Sequence, residues 1–252
     1  MPAAARKTTA DAERARSFDA AYFERGAETI TRLDGATLLA HPTLPGVPHL
    51  NAIAVHGDLG PDDVEALSAL HGVPRVIVDD EDLAAALTGR GWEDHGILLL
   101  GRDGAAEPPA ANALAEQVPY GHVRPLRDEW LRSEAWATSE ALVADAHEAD
   151  RRLFAATPTR AFATFDQGRP LAYALLLDDG RNGMLDDVYT TPAGRGRGLA
   201  TAVIAAVLHA ARAARLERVF VPTDAEGGAR ELYERLGFAP LAVRHRLARA
   251  GA

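Results

Sequence analysis

The chain contains no cysteine, which excludes disulfides, a thiol nucleophile and thiolate metal ligation. Lysine is almost missing as well. Lys7 stands alone, and arginine carries the rest of the positive charge. No run approaches the roughly 20 apolar residues needed to span a bilayer. The opening stretch "MPAAARKTTADAERAR" lacks the apolar core of a secretion signal. The nine histidines show no HExxH or paired spacing, so no metal site is expected. No serine sits in a G-x-S-x-G elbow. These absences leave a cytoplasmic enzyme or binding protein, a monomer or homodimer, without membrane or nucleic-acid partners.

What is present is ordinary for a globular protein: 47% apolar and 25% charged residues in a chain of 252. That length suits one large domain or two small ones. The net charge of −9 is unevenly spread. Residues 1–120 hold 9 basic against 19 acidic side chains, and residues 121–252 hold 18 against 17. An acidic front half repels nucleic acid and anionic membranes and favours cationic ligands. An acidic surface kept for solubility has the same composition.

The Ala/Pro/Gly-rich stretch 101–121 has the chemistry of a linker. It divides the chain into a flexible start (1–17), a front domain (18–105), a linker (106–121) and a rear domain (122–252). Both halves alternate strands and helices. In the rear half, "HVRPL" (122–126), the pair meeting at "DQGR" (166–169), "NGMLDDVYTT" (182–191), "ERVFVPT" (217–223) and "PLAVRHRLA" read as strands. Residues 139–154, 198–216 and 227–238 read as helices. In the front half, 50–58, 74–80 and "DHGILLLGR" read as strands, with helices at 60–72 and 81–92. Pro61 and Gly72 sit where helix punctuation requires them. "PRVIVDDEDLAAALTGRGW" and "ERVFVPTDAEGGARELYERLGF" share an Arg-Val-apolar-Val start, an acidic turn, a helix and a Gly-aromatic end. This is the pattern of an internal repeat. The fold class read from this alternation is α/β.

The stretch "TTPAGRGRGLAT" (190–201) lies between a strand and the strongest helix. A helix start leaves about four amides unpaired, with partial positive charge. Gly194, Gly196 and Gly198 let backbone approach a ligand, and Arg195 and Arg197 add charge. Together they suit an anion such as phosphate. A Walker loop is excluded because its Gly-Lys-Ser/Thr is missing, and "GRGLAT" fits a dinucleotide fingerprint poorly. No aromatic interleaving accompanies the arginines, which argues against a nucleic-acid patch.

"DVYTTPAGRGRGLAT" with "LYERLGF" (232–238) resembles the GCN5-related N-acetyltransferase (GNAT) family. The acetyl-CoA loop of that family, Arg/Gln-x-x-Gly-x-Gly/Ala after a strand bearing Val and Pro, is matched by Arg195, Gly198 and Ala200 after Val188 and Pro192. The resemblance covers about 122–247. It implies the acyl-CoA N-acyltransferase fold and its mixed sheet, with the front half a degenerate copy. In that copy "HGDLGPDD" (56–63) is acidic and lacks the arginine, so only the rear half would hold coenzyme. It implies acetyl-CoA as co-substrate and an amine acceptor, a cationic small molecule or peptide. It implies a splayed pair of central strands, with the backbone at Val188, Tyr189 and Thr190 along the pantetheine arm. The loop from Arg195 through Gly196, Arg197, Gly198 and Ala200 to Thr201 would lie on the pyrophosphate, with Leu199 packed inward. Tyr233 would donate to the departing thiolate. Asp186 and Asp187 are the candidate bases. Strict strand alternation puts them on opposite faces, Asp187 with Tyr189 and Asp186 with Val188 and Thr190, so at most one reaches the acceptor. A salt bridge or contact with the substrate ammonium would equally account for either. A non-catalytic acyl-CoA sensor is the alternative reading.

Overall fold

A computed structural model describes residues 3–110, 114–225 and 227–249. The front half runs α1 (Ala3–Gly26), β1 (Thr29–Leu33), β2 (Ala36–Ala40), β3 (Ala52–Val55), α2 (Pro61–His71), β4 (Arg75–Val78), α3 (Glu81–Thr88), β5 (Trp92–Asp94) and β6 (Ile97–Asp103). The rear half runs β7 (Ala115–Val118), α4 (Arg124–Leu131), α5 (Glu140–Ala156), β8 (Thr159–Asp166), β9 (Arg169–Asp178), β10 (Asn182–Thr190), α6 (Leu199–Ala213), β11 (Arg218–Asp224), α7 (Ala229–Arg235) and β12 (Ala239–Arg249). Each half contains one parallel pair joined by a helix: β3 with β4, and β10 with β11. This is the mixed α/β architecture expected from the sequence. No helix among the described residues is long and apolar enough to cross a membrane.

Local chemistry accounts for most element ends. Gly72 closes α2 in the left-handed conformation. The side chains of Asp80 and Ser139 accept the amides of Leu83 and Leu142 at the starts of α3 and α5. Gln167 and Gly168, both at positive φ, make the tight turn between β8 and β9.

All twelve strands form one sheet, in the order β1-β2-β3-β4-β12-β6-β11-β10-β9-β8-β7, with β5 paired beside β12. The two halves exchange strands. The front half's β6 lies between β11 and β12 of the rear half. The rear half's β12 lies between β6 and the front half's β4 and β5. The division at 101–121 thus separates two lengths of chain within one shared sheet.

Period-two alternation sends successive side chains of the central strands to opposite faces. Leu98, Leu100, Leu185, Val219 and Val221 pack with α6 and α7. Leu99, Met184 and Phe220 pack on the other side with Phe18, Tyr22 and Phe23 of α1 and Leu153 of α5.

Three expectations are corrected. The stretch 1–17 was expected to be flexible, but α1 begins at Ala3. Ala12 and Ala15 are buried, and Asp11 and Arg14 pair with Arg218 and Glu217 of the rear half. "HVRPL" is not a strand. Its proline falls in the first turn of α4, and Val123, Leu126 and Leu131 follow helical spacing into the core. The stretch 106–121 is not all linker. Residues 115–118 form β7, which pairs with β8 at the sheet edge, and residues 111–113 lie outside the described set.

Candidate active site

The strands β10 and β11 pair only from Asn182–Met184 to Arg218–Phe220. Beyond Met184, β10 remains paired to β9 as far as Thr190, while β11 remains paired to β6 as far as Asp224. The two strands part, and the β11-facing backbone edge of residues 185–190 has no strand beside it.

A bulge sits at this opening. The β10–β9 register shifts between Asp186 and Tyr189, and Asp187 adopts φ +51. Aspartate tolerates this left-handed region better than most side chains, at a cost of about 1–2 kcal/mol. The extra residue overturns strict alternation. Asp186 pairs across from Leu175, on the side of Val123 and Leu126. Asp187 bonds Arg127 of α4, so it reaches the same side. Val188 packs oppositely, in the α6 core. The two carboxylates therefore share a side, and Asp186 does not share one with Val188.

Their partners differ. Arg127 donates through Nη1 to Asp187 Oδ1 at 2.8 Å, and through Nε and Nη2 to both oxygens of Asp150 at 3.0 and 2.9 Å. The side chains of Arg127, Asp150 and Asp187 are only 6%, 4% and 12% exposed. The Tyr120 hydroxyl completes Asp150 at 3.0 Å, and the guanidinium lies 4.4 Å from the Trp130 ring centre. Asp187 is thus tied into a buried network. Asp186 is half-buried. Among the described residues no side chain hydrogen-bonds it. Burial pushes the Asp187 carboxyl up to about 8, with Arg127 opposing and Asp186 adding to the rise. Burial raises Asp186 too. Two adjacent carboxyls in one low-dielectric place share protons as a pair.

Tyr233 approaches from the other face. It is 5% exposed and packs with Leu199 and Val188 in the α6 core. Its ring meets Phe238 edge-on at 5.9 Å. Among the described residues nothing hydrogen-bonds its hydroxyl. Burial first, and then the negative charge of Asp186, raise its pKa, so the phenol keeps its proton.

The glycine-arginine loop leads into α6. Thr191 accepts the Gly194 amide at 3.2 Å. Gly196 and Gly198 have φ +72 and +73, and a Cβ at either would touch nothing within 4 Å. Backbone conformation, not packing, is what requires glycine there. Gly198 is the N-cap of α6 and offers no side-chain cap. The amides of Leu199, Ala200 and Thr201 in the first helical turn have no intrahelical acceptor. Leu199 packs inward as expected. Arg195 and Arg197 are exposed, and Arg197 donates to Asp166 at 3.2 Å. Such a helix start binds anions. At the start of α2 in the front half, Asp63 accepts the Gly60 amide at 2.9 Å.

The structure thus brings Val188, Leu199, Tyr233 and Asp186 to one opening, with the loop 195–201 beside it. The Tyr189 side chain turns away, donating to Glu129 of α4 at 2.9 Å. Thr190 is half-buried, and its Oγ1 is enclosed without a partner. Arg127 was missed in the sequence. Its one signal is the placement of a charge among the apolar positions 123, 126 and 131 of α4.

Residues 124–238 match the family model described as the acetyltransferase (GNAT) family. No curated protein matches the chain. Among solved structures, a GCN5-related N-acetyltransferase from Kribbella flavida aligns at TM-score 0.67 and 18% identity, covering 94% of this chain and 96% of its own. A functionally unknown conserved protein from Staphylococcus epidermidis aligns at TM-score 0.66 and 11% identity, covering 88% and 94%. A tandem GNAT protein from the clavulanic acid biosynthesis pathway aligns at TM-score 0.55 and 17% identity, covering 86% and 78%. At these identities the likeness is one of fold.

Proposed function

We propose that this protein, whose residues 124–238 match the acetyltransferase (GNAT) family model, transfers an acetyl group from acetyl-CoA to a primary amine. The observation that carries the reading is the opening between β10 and β11. An uncapped helix start stands at one side of it, Tyr233 packs with Val188 on one face of β10, and Asp186 lies on the other.

The residues fit the co-substrate. The amides from Arg195 to Thr201, with Arg195 and Arg197, provide donors and positive charge for a pyrophosphate. The free edge at Val188, Tyr189 and Thr190 offers backbone donors and acceptors to an extended amide-bearing arm. Acetyl-CoA supplies the acetyl group already activated as a thioester.

The chain then has two protons to manage. An aliphatic amine has a pKa near ~10 and must lose a proton before it attacks. Asp186, which makes no hydrogen bond to Arg127, receives the ammonium and takes that proton. The amine nitrogen bonds the acetyl carbon, the carbon–sulfur bond breaks, and the sulfur leaves with the electron pair. Tyr233, kept protonated by burial, donates to the departing sulfur, and the second proton that the acylated nitrogen sheds restores the phenol. Asp187 acts through position: its bond to Arg127 fixes the bulge that presents Asp186. The front half serves as a second wall and holds no coenzyme of its own.

Release of free thiol from acetyl-CoA across a panel of amines tests this reading. Amine-dependent thiol release is expected. Acetyl-CoA binding without turnover on any amine would instead mark a sensor.

A further inference from the structure

On the face of the sheet where α1 packs, three polar side chains are short of partners. Arg246 of β12 makes one bond, from Nη2 to Asp19 Oδ1 at 3.3 Å, and its Nε–H is buried with no acceptor among the described residues. Arg244, two residues earlier, is by contrast fully engaged. It donates to both oxygens of Asp79 at 2.9 and 2.8 Å, to Asp19 Oδ2 at 2.7 Å and to the Arg16 carbonyl at 3.3 Å. Asp19 is therefore divided between the two arginines, with Arg244 on Oδ2 at 2.7 Å and Arg246 holding the longer contact to Oδ1.

The second is His49, in the short turn Pro48–Leu50. Among the described residues neither ring nitrogen has a hydrogen-bond partner. The third is Asp186. Phe23 of α1 joins the first two: its ring lies 5.5 Å from the Arg246 guanidinium and 5.4 Å from the His49 ring. Tyr22, next to Phe23, is itself within the field of Asp186 and Asp187.

Phe23, Leu50 beside His49, and Met184, two residues before Asp186 on the same face of β10, pack in one cluster. Burial, with Arg127 and Arg246 adding to it, drops the His49 pKa to about 4 against the pull of Asp150 and Asp19. The imidazole is thus neutral, with one N–H to donate.

We propose that Arg246 and His49 form a subsite for an anionic group above the Phe23 ring, and that the acceptor is a zwitterionic amine whose ammonium end meets Asp186. This rests on the acyl-transfer reading above and narrows its acceptor. A guanidinium with unused N–H groups attracts a carboxylate or phosphate and repels a second ammonium, so polyamines are disfavoured.

Matched amines test the subsite on the full-length protein. α-Amino acids are compared with their decarboxylated amines, and phosphoethanolamine with ethanolamine. Thiol release is measured for each, together with calorimetric binding to the CoA-saturated protein. The zwitterion of a pair is expected to exceed its partner at least tenfold in kcat/KM or affinity. The pair that leads tells carboxylate from phosphate. Arg246→Gln is expected to remove the gap through KM alone, with CoA affinity unchanged, and Arg246→Lys to restore part of it. His49→Phe, outside the sheet, should narrow the gap even where a β12 variant fails to fold. Equal or better use of the partner amine, no binding by any pair, or a gap that survives Arg246→Gln overturns the subsite. Failure to bind CoA at all overturns the acyl-transfer reading instead.

Discussion

Arg127 bonds Asp187 at 2.8 Å, while Asp186, one residue earlier on the same strand, accepts no side-chain hydrogen bond among the described residues. Two neighbouring acids, alike in sequence, are thereby given different work. Arg127→Met would leave Asp187 and Asp150 facing each other without their shared cation. Breaking a buried pair in this way costs about 3–5 kcal/mol, and urea unfolding should register that loss. Asp186→Asn should unfold at nearly the wild-type urea concentration yet lose on the order of 10²–10⁴ in kcat/KM. A large stability loss in Asp186→Asn with activity retained would reverse these assignments.

The carboxyl pair predicts a pH dependence. Asp187 sits near 8 in the folded chain and would titrate near ~4 in the unfolded one. The folded state therefore holds its proton more firmly. Stability from this source is full below about 4 and is lost as pH rises toward 8. Asp187→Asn should flatten that decline in a series of unfolding midpoints. Activity should move the other way, with kcat/KM rising with pH as the pair opens to accept a proton, and burial displaces that limb above the ordinary carboxylate range. Asp186→Asn should erase that limb.

Gly198→Trp tests the helix start. The position has φ +73, which disfavours any Cβ, and a large side chain would stand over the free amides. Acetyl-CoA affinity should fall by at least tenfold in calorimetry. Tyr233→Phe should bind acetyl-CoA normally and turn over about 10²-fold more slowly.

The exchanged strands predict that neither half folds alone. A fragment covering residues 106–252 lacks β6, leaving β11 and β12 without the strand that lies between them. Expressed singly, each half should be insoluble or show no cooperative unfolding. Co-expression of 1–105 with 106–252 should recover a complex that unfolds cooperatively. A soluble, cooperatively folding 106–252 would show that the exchange is dispensable.

Much of this could be read locally. The glycines at 196 and 198, the helix after them and the inward Leu199 follow from residue type and spacing over a dozen positions. Tyr233 could be singled out only through the resemblance carried by "LYERLGF". Other features depend on partners far away in the chain. Alternation places Asp186 and Asp187 on opposite faces because it assumes a regular strand, and nothing in "LDDVY" announces a left-handed residue. α1 is weakly patterned, and its first turns are held by Glu217 and Arg218, which no local window contains. "HVRPL" has the apolar content of a strand, and only its proline and the spacing to Leu131 give the helix away. Sheet order is the least local property of all. Hydrophobic pattern marks β6 and β12 as buried strands but does not say which strands lie beside them.

The Arg244–Asp19 bond joins residues 225 positions apart. Contacts of such range form slowly, because chain entropy must be lost before they can help. The front half of a nascent chain emerges with β4 and β6 waiting for a neighbour that the ribosome makes more than a hundred residues later. The sheet is therefore completed only by β12, in a single late act of assembly, and until then the chain exposes unpaired strand edges of the kind a chaperone covers.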